Sequence, residues 1–178
     1  MKLLMIAILF PLIFVPPGSG FYSLSCTRLD GSSMALSSLQ GKKVLLFAFN
    51  GSNPNWGMLK AVDSIQKLHA DSMAVIAFPA LDFDSAVNAT YLGKIHDSLG
   101  LGLTFAQPGF VKRQAGQQQL ALFQWLTSMT GNGHFNRDVE KEGQIFIVNG
   151  KGTLYSIIEE QTYRWALLRI LSRKDGGE

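Results

Sequence analysis

The hydrophobic positions of this chain fall into blocks separated by turn-forming residues, and the spacing within each block predicts its conformation. "KVLLFAF" (43–49) is a continuous apolar run, the pattern of a strand covered on both faces. "SMAVIAFPA" (72–80) is a second such run, stopped by Pro79, which has no N–H to offer a ladder. Between them, "MLKAVDSIQKL" sets Met58, Val62, Ile65 and Leu68 on one face, which predicts a helix near 57–70. A weaker helical pattern covers 85–99, and "LGLTFAQPG" reads as a short strand or extended segment.

The second half continues the alternation. "QQQLALFQWLTSMTG" aligns Leu120, Phe123, Leu126 and Met129, predicting a helix near 116–129 with Gly131 as its stop. "QIFIVNGKGTLYSII" (144–158) predicts a hairpin, strands 144–149 and 153–158 around the turn "NGKG". The chain closes on "EEQTYRWALLRILSRK", a predicted helix near 160–173 with Tyr163, Leu167, Ile170 and Leu171 as its core face. Its acids come first and Arg169, Arg173 and Lys174 last, the order the helix dipole favours. At the other end, "FYSLSCTRLDGSSMALSSLQGKK" reads as two short strands about "LDGSS", closed by Gly41.

Two buried strands joined through a helix imply a right-handed parallel crossover, and the late hairpin adds antiparallel strands. The expected fold class is therefore α/β: a central mixed sheet flanked by helices, in the order of a thioredoxin-like sheet. At 178 residues the chain suits one domain with a full core.

Composition changes this picture mainly at the N-terminus. Hydrophobic residues make up 47% and charged ones 16%, but part of that excess sits in "MKLLMIAILFPLIFVPPGSG" (1–20). One lysine, an apolar run from Leu3 to Val15 and small residues at Gly18 and Gly20 form the pattern of a secretory signal cleaved before Phe21. The run is short of the roughly 20 residues that span a bilayer. The expected organisation is a signal peptide at 1–20 and one domain at 21–178, secreted or periplasmic, with no membrane span after cleavage. The formal charge of +3 falls to +2 without Lys2, and its basic residues are scattered. That argues against nucleic acid as a partner. An unknown protein or small-molecule ligand is the remaining expectation.

Cys26 is the single cysteine, so the chain forms no internal disulfide. "SLSC" (23–26) has Ser where a lipobox prefers Leu, which argues against a lipoprotein and for a buried structural thiol in the first strand. His69, His96 and His134 lack metal-ligand spacing. "DFD" (82–84) reads as solvated acids, and Asn88-Ala89-Thr90 is a glycosylation sequon whose use depends on the host. "GHFNRDVEKEG" (133–143) reads as an exposed charged loop.

The turn "FNGSNPNWG" (49–57) lies where a strand opens into a helix, a common place for an active site, yet it holds no Cys, His or acid. Asn53 suits the N-cap with Pro54 at the first helical position, and Asn55 serves equally well as the cap. Trp56 reads as a packing residue.

Four segments in order carry a family resemblance: "FYSLSCTRLDGSSMALSSLQGKKVLLFAF" (21–49), "VIAFPALDF" (75–83), "LFQWLTS" (122–128) and "FIVNGKGTL" (146–154). Over nearly the whole mature chain the sequence resembles the glutathione peroxidase family, which the resemblance places in the thioredoxin-like fold. The resemblance implies peroxide reduction by a Cys or selenocysteine at the start of the helix after the first buried strand, assisted by a Gln, a Trp and an Asn. Residue by residue, the resemblance puts the nucleophile position at Asn53, or at Pro54 with a one-residue shift, the Gln position at Asp82, the Trp position at Lys141 and the Asn position at Glu142. All four depart from the pattern. The resemblance implies no bound cofactor; glutathione or another thiol is the donor only if the protein is active. Three functions follow as expectations: an exported, catalytically degenerate member acting by binding, an active thiol peroxidase, or a redoxin-like adaptor or chaperone of the cell envelope.

Overall fold

The computed structural model describes residues 20–158. The predicted C-terminal helix near 160–173 and the signal-like segment lie outside the described residues, apart from Gly20. A five-stranded mixed sheet forms the centre, in the order β5-β4-β3-β6-β7. Its strands are β3 (Lys43–Phe49), β4 (Met73–Pro79), β5 (Thr104–Phe105), β6 (Ile145–Val148) and β7 (Leu154–Ile158). β3 and β4 are parallel neighbours with Lys43 opposite Met73 and Phe49 opposite Pro79. β5 continues the parallel half, and the β6–β7 hairpin runs antiparallel beside β3. A small hairpin, β1 (Ser25–Thr27) and β2 (Ser33–Ala35), pairs Cys26 with Met34.

Every residue of β3 is buried, because helices cover both faces. Val44, Leu46 and Ala48 point to one core with Leu122, Phe123 and Leu126. Leu45, Phe47 and Phe49 point to the other with Leu59, Val62 and Leu92. The period-two alternation of a strand sends neighbours to opposite faces. On the first face Phe123 stacks edge-on against Phe78 at 5.0 Å and Phe146 at 6.3 Å between centroids.

Two helices depart from expectation. α1 (Trp56–Leu68) buries Leu59, Val62 and Asp63, whereas Leu68 is 79% exposed and Met58 and Ile65 pack only at the core margin. The buried face is rotated by one position because Asp63 is drawn inward. Its Oδ1 accepts from Gly102 N at 2.6 Å and Leu103 N at 3.1 Å, and its Oδ2 pairs with Lys67 Nζ at 2.8 Å. A buried carboxylate is tolerated when its lone pairs are filled in this way.

The helix predicted over 116–129 is two helices, α3 (Ala121–Thr127) and α4 (Met129–Asn132), with Ser128 extended between them. Asn132, buried, donates through Nδ2 to Trp125 O and Leu126 O at 3.0 Å and accepts through Oδ1 from His134 N and Phe135 N. It fills the last carbonyls of α3, which a longer helix would have used. Met129 is left 53% exposed, and the stop is Gly133, left-handed at φ 77°, rather than Gly131. The weaker helix is α2 (Ala89–Ser98), capped by Asn88, whose side chain accepts from Tyr91 N at 3.0 Å.

Candidate functional site

The four positions singled out by the resemblance lie at one end of the sheet. Asn53 follows β3, and Asp82 follows β4, whose continuation is tied to β3 by Ala80 N donating to Phe49 O. Lys141 and Glu142 enter β6 beside them, since Gly143 N donates to Ala48 O at 2.9 Å. C-terminal ends of parallel strands are the usual site in open α/β sheets. The topology therefore gathers residues separated by some 90 positions.

The turn itself is closed by its own amides. Asn50 Oδ1 accepts from Ser52 N at 3.0 Å and Asn53 N at 3.1 Å, an Asx turn. Gly51 lets the backbone lie against the end of β4: a Cβ there would come within 2.7 Å of Val87 Cγ1 and 3.2 Å of Pro79 Cβ. Of the two possible caps, Asn55 is the one used, accepting from Met58 N at 3.0 Å. Pro54 is buried and Asn53 exposed. Asn53 thus stands two residues outside the cap, beyond the strongest reach of the helix dipole. Trp56 packs at the margin of the second core.

Asp82 is half-buried and turned toward the segment after β5. Its Oδ2 accepts from Val111 N and Lys112 N, and its Oδ1 accepts from Gln114 Nε2 at 3.2 Å. It holds a loop. Asp84, the other acid of "DFD", accepts from Ala86 N at 2.8 Å in a local turn. Lys141 and Glu142 are half-buried, and Glu142 Oε1 is buried without a hydrogen-bond partner. Among the described residues no hydrogen bond or ion pair joins any two of the four positions. Sequence reasoning missed the acid that matters most to packing, Asp63; its only local signal was the i, i+4 partner Lys67.

The charged loop 133–143 is anchored rather than free. Asp138 accepts from Arg113 N at 3.1 Å, Asn136 from Arg113 Nη1 at 3.0 Å, and Val139 is buried. His69 and His134 are exposed. His96 is engaged by Leu103 O at Nε2, 2.9 Å, and by Asp97 at Nδ1, 3.2 Å.

Cys26 is on the opposite face of the sheet from α1, within the first core. Burial pushes its thiol up to about 11, against a smaller lowering by Arg28. At neutral pH it is a neutral thiol, which is neither a strong nucleophile nor a ready metal ligand. Among the described residues no helix is long and apolar enough to cross a membrane.

No family model matches the sequence, and no curated protein matches it. Solved structures do. The T. cruzi protein GPX1 is similar at a TM-score of 0.64 and 12% identity, over 86% of this chain and 94% of its own. A thiol-disulfide isomerase from Corynebacterium glutamicum is similar at 0.59 and 16% identity, over 88% and 93%. A secreted Mycobacterium tuberculosis disulfide oxidoreductase is similar at 0.51 and 12% identity, over 79% and 86%. At such identities the likeness is one of architecture: this chain has the thioredoxin-like fold, a mixed sheet flanked by helices, in common with these redox proteins.

Proposed function

We propose that this is an exported, glutathione peroxidase-like protein that has lost redox catalysis and acts by binding. The observation that carries the reading is the state of sulfur. A peroxidatic or disulfide-exchanging thioredoxin fold needs an accessible thiolate. The chain has one cysteine; it is buried with its thiol pushed up to about 11, and the turn after β3 offers Asn53 instead. Asp82, at the assisting Gln position, is occupied with the backbone of 111–112. Export is supported by the charge, apolar run and small residues of 1–20. No cofactor is required by this reading, and a thiol donor such as glutathione would matter only to an active enzyme.

The test is peroxide consumption by the purified protein with a thiol donor, beside Cys26→Ser. The expected rate is that of buffer for both proteins, with slow labelling of Cys26 by a thiol reagent at pH 7. Peroxide turnover that disappears in Cys26→Ser would establish the alternative, an active thiol peroxidase with a relocated nucleophile.

A further inference from the structure

A cleft of about 530 Å³ opens on the outer edge of β5, lined by Arg28, Leu29 and Asp30 from the first hairpin, Gly93 and Asp97 from α2, and Phe105. The hairpin is tied to this edge by Leu29 N donating to Phe105 O and Gln107 N donating to Thr27 O, both at 2.9 Å. The cleft is thus built on backbone ladders, and its volume falls in the range of roughly 300–1,000 Å³ typical of ligand sites. It is distinct from the turn at 50–55, none of whose residues line it.

Three observations point to a ligand. The first is Gly93, in the interior of α2, where glycine is less favourable than alanine by about 1 kcal/mol. Packing does not ask for it: a Cβ at Gly93 would meet nothing nearer than Leu29 Cδ2 at 3.9 Å. The missing side chain instead leaves the cleft open. The second is Arg28, half-buried beside Asp30, whose side chain makes one hydrogen bond among the described residues, to Ser32 Oγ at 3.1 Å. A guanidinium carries five N–H donors, so most of them remain for an acceptor. The third is the pair of acids. Asp30 uses Oδ1 on Ser32 N and Oγ at 2.8 and 2.6 Å, and Asp97 uses Oδ1 on His96. Both side chains are exposed, Asp97 by 84%, and the Ser32 hydrogen bonds, with Arg28 close by, hold the Asp30 carboxyl below the usual range, so each Oδ2 faces water and is open to a cation entering the cleft.

A simple carboxylate would meet Asp30 and Asp97, and a simple amine would meet Arg28. A molecule that carries both charges satisfies all three, and Leu29 and Phe105 supply an apolar wall. We propose that the cleft binds a short zwitterionic peptide of dipeptide size. Its carboxylate lies on Arg28, its ammonium on Asp30 or Asp97, and an apolar side chain on Leu29 and Phe105. The assignment rests on the reading of this chain as a binding protein and names what it binds.

The experiment is calorimetric titration of the full chain with the dipeptide Ala-Phe, its C-terminal amide and its N-acetyl form. Ala-Phe is expected to bind saturably at one site, with each blocked form weaker by about tenfold or more, the scale of one lost charge-assisted contact. Arg28→Gln is expected to weaken Ala-Phe by a similar factor. Gly93→Leu, which fills the space, is expected to abolish binding with no fall in melting temperature, and Gly93→Ala to weaken it. No saturable binding of Ala-Phe, or equal binding by the blocked forms or by both variants, would overturn the proposal. The peroxide assay decides the underlying reading separately: an inert chain that ignores Ala-Phe refutes the cleft alone, and a turnover-competent chain that binds it refutes the reading alone.

Discussion

The turn after β3 and the cleft beside β5 are two places where the described residues offer a surface for chemistry, and they are built in opposite ways. In the turn, Asn50 and Asn55 satisfy the local backbone N–H groups, and Gly51 is present because Val87 and Pro79 leave no room for a side chain. In the cleft, Gly93 has room around it, and Arg28 keeps donors in reserve. A closed polar network stabilises a conformation, whereas solvated donors and open space cost the fold little and stay available to a ligand. The turn at the usual site of the fold is thus closed by its own hydrogen bonds, whereas the sheet edge carries an open cleft.

The strongest way to break this comparison is to remove the support of the cleft. Asp63→Ala leaves Leu103 N unpaired in a buried setting and removes the acceptor of the part-buried Gly102 N, and should destabilise the protein by about 2–3 kcal/mol, read as a lower urea midpoint with an unchanged slope. Asp63→Asn keeps an acceptor and should lose less. Equal losses for the two would mean that the charge, and not the pair of N–H bonds, holds the 102–103 segment.

Next in size is a contrast between the two glycines. Gly51→Ala forces a methyl against Pro79 and Val87 and should destabilise by about 1–3 kcal/mol. Gly93→Ala relieves a helix-interior glycine and should stabilise by roughly 0.5–1 kcal/mol. Thermal unfolding of the two variants should therefore shift in opposite directions. The same sign for both would remove the distinction between a packed glycine and an open one.

The smallest effect sharpens the register of the turn. Asn55→Ala loses the cap of α1 and should cost about 1 kcal/mol, while Asn53→Ala, at an exposed residue with no side-chain bond among the described residues, should change stability by less than about 0.5 kcal/mol. The reverse order in a chemical denaturation series would place the helix start two residues earlier.

The strands were legible because continuous apolar runs such as 43–49 have only one economical placement, covered on both faces, and a helix between two such runs dictates a parallel crossover. The N-cap could be narrowed to two asparagines, Asn53 and Asn55, but both satisfy the same local rule. Only the path of the backbone around Gly51 distinguishes them. The helical faces were less legible. Leu68 fits the apolar period of α1 and still ends up exposed, because Asp63 is needed inside to hold a loop some 40 residues away. α3 stops at Thr127 against a sustained pattern because Asn132 folds back onto its carbonyls.

By itself, the sequence determined the α/β class, the mixed sheet and the lack of a reactive sulfur at the turn, since these depend on residue type and on short-range periodicity. Tertiary structure alone decided that Asp82 serves the 111–112 backbone and that Arg28, Gly93 and Asp97 share one cleft. Those outcomes depend on contacts between segments far apart in the chain, where burial, desolvation and open space arise only once the sheet has brought the segments together.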